Sequence, residues 1–312
     1  QGVERGVMQK IDFHRLWTAF DYDHLLPFLA RLPRWLGRRL ATWRGLLYAR
    51  LGRDWRQFCL GDQALESRTL EALRELLPTA NSSELRCAVR QRYAAQSLEE
   101  LEACQLARPD LRQWPVEWVG LDSVLDAIQI HGSIVLVTAH YSSCVLGVVL
   151  LERLGIPVLA MTSNITEDPR VHPSIQRFYR HRKKNGDRYL NGGEVLDRQG
   201  NTRRFVQRLK KGGAVVIFGE LPPDPHEEPL IVSFLGAKRK LAAGPQRLAD
   251  LAKVPLFSFV CEYTPTGYRM SFSTPDGDPY SHIDEAIRRN PARWWAADLL
   301  PLLPRVPETA DE

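Results

Sequence analysis

Two side chains stand where a proton could be moved. The apolar run Ile134-Val135-Leu136-Val137-Thr138-Ala139 ends on His140, and the run Val215-Val216-Ile217-Phe218-Gly219 ends on Glu220. A neutral imidazole suits removal of a proton from a hydroxyl or amine near neutral pH, and a carboxylate partner fixes its tautomer and stabilises the imidazolium. In an α/β sheet, ligands gather beyond the carboxyl ends of strands. His140 and Glu220 therefore form a base and its partner if their strands are neighbours; a histidine that merely caps the next helix is the alternative. Ser142 and Ser143 follow as hydroxyl or backbone N–H donors for an oxyanion, or as helix caps. Cys144, four residues after His140, shares a helix face with it: either a thiolate nucleophile or a small buried hydrophobe.

The elements that must position these residues change character near Pro115. From Ile11 to Leu106 apolar residues recur at helical spacing, as in Leu25, Leu26, Leu29, Leu32 and Leu36. Asn81-Ser82-Ser83-Glu84 supplies a helix start with a capping hydroxyl before the run Leu85 to Leu106. After Pro115 strands alternate with helices. Strands are predicted at Val116–Val119, Ser133–Thr138, Pro157–Met161, Ala214–Phe218, Leu230–Phe234, Leu256–Glu262 and Tyr268–Ser273, all in one sheet. Helices are predicted at Asp122–Ile130, Ser143–Leu154, His172–Lys184, Thr202–Lys211 and Gly244–Lys253. The fold class is α/β, a mostly parallel sheet flanked by helices, with a helical N-terminal extension (1–112) packed as one unit with the α/β domain (113–312).

The composition, 44% hydrophobic and 25% charged, excludes disordered and collagen-like classes. Five unpaired-looking cysteines, with no C-x-x-C, argue against a disulfide framework and a zinc site and for a reducing, cytoplasmic setting. No metal site is expected from the histidine and cysteine spacings. The net charge of +5 is unevenly placed. Arg31 to Arg56 holds eight arginines and one acid; basic runs also cover Arg177–Arg188 and Arg203–Lys211. They suggest an anionic partner, or simply solvated helix faces. The segment Leu32–Leu51, with Trp35, Trp43 and Tyr48 among arginines, has the composition of a helix lying at a bilayer surface, although Pro33 and Gly37 weaken it and ordinary packing competes. No recognised nucleic-acid motif accompanies the charge, so no nucleic-acid partner is expected.

The stretches GLDSVLDAIQIHGSIVLVTAHYSSCVLG, RRFVQRLKKGGAVVIFGE and VSFLGAKRKLAAGPQRLADLAKVPLFSFV, in this order, resemble the lysophospholipid acyltransferase-like superfamily, within it the lipid A biosynthesis (lauroyl/myristoyl) acyltransferase branch. The helical leader and Trp294-Trp295 fit the same layout. The resemblance implies a histidine base that deprotonates an acceptor for attack on an acyl thioester, with an acid five positions on. This chain departs there, since Val145 follows in HYSSCV. Glu220 is the preferred substitute because VVIFGEL resembles the family's Phe-Pro-Glu-Gly block; Glu152 and Asp224 are weaker candidates.

What the resemblance implies is an acyltransferase moving an acyl or aminoacyl group to a hydroxyl or amine. Its donor would be a phosphopantetheine-linked thioester, on an acyl or peptidyl carrier protein or on coenzyme A, with no bound cofactor. A natural-product pathway is one setting, and a degenerate relative that binds a carrier protein or lipid without transfer is the alternative. The phosphate of the donor, an acidic carrier or a lipid headgroup would meet Arg182, Arg203 and the loop Lys238-Arg239-Lys240, with Lys183, Lys184 and Arg204 nearby. The location expected is cytoplasmic, with peripheral attachment to the inner membrane face as an added reading.

Overall fold

The computed structural model describes residues 14–307. The start of the predicted helical region at Ile11, and the outermost residues of both predicted spans, lie outside them. Nine strands form among the described residues: β1 Val116–Val119, β2 Ser133–Thr138, β3 Val158–Thr162, β4 Glu194–Asp197, β5 Gly213–Phe218, β6 Leu230–Phe234, β7 Ala237–Leu241, β8 Leu256–Thr264 and β9 Gly267–Phe272. Seven make one sheet in the order β1-β9-β8-β2-β5-β3-β4. All neighbours are parallel except the β8/β9 pair. The fold is α/β, with a mostly parallel sheet flanked by helices and an N-terminal helical region.

β2 and β5 sit at the centre, which explains their uninterrupted apolar character: a strand covered on both faces has no solvent side to reserve for polar residues. Successive β2 side chains serve opposite layers. Ile134 and Leu136 join Leu146, Val149 and Phe259 on one face, while Val135 joins Phe205, Leu209 and Leu248 on the other.

Three expectations about strands and one about a helix cap need correction. Leu230–Phe234 does not complete the main sheet; it pairs with β7 in a separate antiparallel hairpin. Residues 238–240, expected as a loop, are the middle of β7, and that alternation sends Arg239 inward. β4, at the sheet edge beside β3, was not anticipated. The helix Ser82–Gln105 does begin where expected, but its cap is the Asn81 carboxamide rather than a hydroxyl. Asn81 Oδ1 accepts from the Ser83 and Glu84 N–H groups, and Glu84 accepts from the Asn81 N–H, which makes a reciprocal capping box.

That helix is the frame against which the helical region packs. Pro33 separates the helix Leu26–Arg31 from Arg34–Leu51, which continues through Gly37. Gly45 lets the second helix close on Ser82–Gln105: a Cβ there would lie 2.6 Å from the Ala94 Cα. Buried charges complete the contact. Arg44 binds Asp21 through Nε at 2.7 Å and Glu100 through Nη1 at 2.6 Å, and Arg92 and Arg56 reach Asp54 and Asp298, the latter near the carboxyl end of the chain.

Candidate active site

β2 and β5 run parallel in register, with Thr138 opposite Phe218. The pairing extends past the strands, since the Gly219 N–H donates to Thr138 O at 2.9 Å. His140 and Glu220 each stand two residues beyond that pair, and the ladder delivers them to each other. His140 Nδ1 lies 2.7 Å from Glu220 Oε1, and the His140 backbone N–H donates to the same oxygen. Gly219 is required by this approach, because a Cβ would fall 2.3 Å from Val137 Cγ1 and 3.1 Å from the Tyr280 ring.

The two halves of the pair differ in access. The Glu220 side chain is wholly buried, whereas the imidazole is 23% exposed. The ring is clamped: it stacks on Phe218 with centroids 3.9 Å apart and meets the Trp295 ring edge-on at 4.7 Å. The Trp295 N–H also donates to His140 O, and the Ser142 N–H to Arg293 O, which ties this turn to the late Trp294-Trp295 segment. With Nδ1–H given to the carboxylate, Nε2 carries the lone pair, the tautomer a general base needs. Tyr280, against Gly219, has a buried hydroxyl with no partner among the described residues, as has Glu220 Oε2. Burial, then Asp278 and Glu220, push its phenol up.

The remaining candidates are placed differently. Val145 packs against the core and offers no acid at that position; the helix begins only at Cys144, so His140 stands before it and shares no helix face with Cys144, contrary to expectation. Glu152 pairs with Arg112 at 2.7 Å, and Asp224 caps a turn at the His226 N–H; neither touches His140. Cys144 is buried, and its thiol is pushed well up by burial and by Glu99 and Glu220, which opposes the thiolate that a nucleophile would need. Ser143 is committed: its hydroxyl donates to Glu102 at 3.0 Å and its N–H to Cys261 O. Ser142 sits in the left-handed region at φ 49° with its N–H also used. These backbone donors are not available to an oxyanion, and neither side chain caps the helix Cys144–Leu150.

Of the basic candidates, Arg182 is nearest in effect. It binds Glu99 at 3.2 Å, and Glu99 is itself pushed up to about 7 by burial, with Arg182 and His140 acting the other way. Arg203 and Lys238 are exposed, and Lys240 is half-buried. None of these touches His140 among the described contacts. Arg239 is corrected from substrate ligand to internal strut, because it is buried and donates to the Phe234, Leu300 and Leu303 carbonyls and to Glu75.

Sequence reasoning missed Phe218, Trp295 and Tyr280 as walls of the site, and Glu99 and Glu102 behind it. An aromatic residue two before the strand-end acid was a usable signal for Phe218; nothing in the sequence pointed to the others as neighbours of His140. An enclosed space of about 20 Å³ inside the helical region, lined in part by Tyr22, Arg44 and Tyr48, and an open hollow of about 360 Å³ beside Arg112 and Glu152, are lined by neither member of the pair.

With this geometry in view, residues 62–294 match the family model described as bacterial lipid A biosynthesis acyltransferase. The chain belongs to that family. A search of curated proteins finds no match. The matched span holds His140 and Glu220 and stops one residue before Trp295, and both helices up to Leu51 precede it. Membership makes acyl transfer the general chemistry of this lipid A acyltransferase-family chain. No helix among the described residues is long and apolar enough to cross a membrane, and among the same residues no group of three or more His, Cys, Asp or Glu side chains could hold a metal ion.

Proposed function

We propose that this family member transfers an acyl or aminoacyl group from a phosphopantetheine-linked thioester, on a carrier protein or on coenzyme A, to a hydroxyl or amine. The observation that supports it most directly is the 2.7 Å contact between a part-exposed imidazole and a fully buried carboxylate at adjacent strand ends. His140 Nε2 takes the acceptor proton as the acceptor oxygen or nitrogen attacks the thioester carbonyl. The resulting imidazolium is stabilised by Glu220, and collapse of the tetrahedral intermediate expels the thiolate, which takes up that proton from Nε2 to leave as the thiol. Glu220 does the work that an acid one helical turn away does in the resembled pattern. A buried carboxylate needs no reorientation to do it, because its second contact, the His140 N–H, already fixes Oε1.

The donor's charged arm would be met by Arg182, Arg203, Lys238 and Lys240 from elements around the sheet. Val145 at the usual acid position favours a second reading, a carrier- or lipid-binding relative that performs no transfer. One assay separates them. His140→Ala should lower turnover of an acyl thioester by about 10²–10⁴-fold with its melting temperature little changed; undiminished turnover in that variant rejects the base assignment, and no turnover in the wild type with any carrier or coenzyme A donor favours the binder.

A further inference from the structure

A donor or acceptor taken out of water without a partner costs free energy, so buried side-chain polar atoms are rarely left unpaired. Two such atoms stand at the end of β5. Glu220 is buried; its Oε1 accepts from the His140 backbone N–H and faces Nδ1, but Oε2 has no partner among the described residues. Tyr280 is 2% exposed, and its hydroxyl has no partner among them either. A carboxylate oxygen can only accept, and a phenol can donate.

The fold brings the two groups together. Tyr280 stands in the first turn of the helix Pro279–Arg289, whose start is fixed by Asp278. The Asp278 carboxylate accepts from the Tyr280 and Ser281 N–H groups and from the Ser281 hydroxyl, so its oxygens are spent on the cap. The Tyr280 ring lies on Gly219, the residue before Glu220: a Cβ on Gly219 would stand 3.1 Å from Tyr280 Cε1 and 3.8 Å from Cζ, the carbon that carries the hydroxyl. Burial, then the charges of Asp278 and Glu220, push the phenol up and keep it protonated. A tyrosine that only filled this wall, beside Val137, Val260 and Ile283, would be served as well by phenylalanine, which has no hydroxyl to desolvate.

We infer that Tyr280 is a positioning residue for the His140–Glu220 pair, its hydroxyl donating to Glu220 Oε2 across no more than one water. The inference rests on the base assignment above and deepens it. Oε1 is already held by the His140 N–H. A donor on Oε2 stops the carboxylate from turning, so the imidazole keeps one acceptor at Nδ1 and one direction for Nε2. Enclosed in the wall, Tyr280 acts through Glu220 and touches neither acceptor nor thioester.

Two readouts test it in the full chain. The first needs no substrate: in protein carrying isotope-labelled histidine, the His140 Nδ1–H proton resonance is identified by its loss in His140→Ala, and Tyr280→Phe should broaden or move it. The second is turnover of dodecanoyl-coenzyme A, where Tyr280→Phe should lower kcat by about tenfold and leave KM within about twofold. In the Glu220→Gln background the same change should add less than about twofold, because the group it acts through has lost its charge. Phenylalanine fills the same place, so the melting temperature should change little. An unchanged resonance and kcat in Tyr280→Phe, with His140→Ala and Glu220→Gln both impaired, overturns the inference and leaves the base assignment standing. A full additional loss in the Glu220→Gln background also overturns it, because the hydroxyl would then act independently of the carboxylate. Full turnover in His140→Ala, or no Nδ1–H resonance in the wild type, removes the base assignment and the inference with it.

Discussion

Glu220 and Glu100 are both buried carboxylates held by a cationic or cation-forming partner, yet the two pairs are built for different ends. Arg44 and Glu100 are both almost fully enclosed, and Tyr22, Ser97 and Asp21 saturate their remaining hydrogen bonds. Nothing in that cluster can change protonation without leaving a charge uncompensated. In the His140–Glu220 pair the carboxylate is enclosed but the imidazole reaches solvent. A buried ion pair therefore signals chemistry only when one half is open; a closed one is a strut.

The sharpest way to break this comparison is to damage each pair and ask which property falls. Glu220→Gln should cost about 10²–10⁴-fold in turnover, because a neutral amide can hold the ring but cannot stabilise the imidazolium, while the chemical-denaturation midpoint moves little. Arg44→Ala should do the reverse. Removing it strands Asp21 and Glu100 as uncompensated buried charges, an expected loss of about 3–5 kcal/mol of stability, with turnover per folded molecule retained. If Arg44→Ala instead abolished turnover in a fully folded population, or if Glu220→Gln unfolded the chain at unchanged specific activity, the division between open and closed pairs would fail.

Glu99 lies between the two cases and sharpens the comparison. It faces Arg182, yet burial pushes its carboxyl up to about 7, above the value of about 4.5 it has in an unfolded chain. The sign follows from the neutral form being favoured in the fold. Its stability contribution is complete below pH 4.5 and is lost as pH rises through 7, when the unfolded state has already released a proton that the folded state still holds. Denaturation midpoints measured from pH 5 to 8 should therefore show Glu99→Gln gaining on the wild type as pH rises, by up to about 3 kcal/mol at the alkaline end. A constant difference between the two proteins across that range would mean that Arg182 compensates the carboxylate fully and that Glu99 belongs with the closed struts.

How much of this was legible in the sequence depended on whether a feature is local. The central strands were plain, because burial on both faces imposes an apolar run that β2 and β5 display. Their adjacency was not, because the residues brought together lie 80 positions apart and register is set by pairing. β4 escaped notice because Glu194–Asp197 is a short edge strand of mixed polarity. Basic runs misled for a physical reason: arginine with a carboxylate partner can be buried, so Arg38, Arg44 and Arg239 read as surface charge and serve as internal braces. The Asn81 cap shows the opposite case, a helix start whose position was readable from four residues even though the wrong side chain was credited with the bond.

The smallest expected effect concerns Cys144, which stands next to the open pair but shares the seclusion of the closed ones. Forming a thiolate there would place a charge in a buried wall already facing Glu99, Glu220 and Glu102, and each of these raises the cost of ionisation. The family's chemistry has no need of it if His140 activates the acceptor directly. Cys144→Ala should therefore keep turnover within about twofold of the wild type and lose about 1 kcal/mol of stability, the effect of a small vacated volume in a packed wall. Intact-protein mass spectrometry of the wild type with the thioester donor alone should show an unmodified chain. A hydroxylamine-labile adduct that disappears in Cys144→Ala would show that the wall opens during turnover and that transfer passes through the thiol, which would move the division between open and closed groups one residue deeper into the protein.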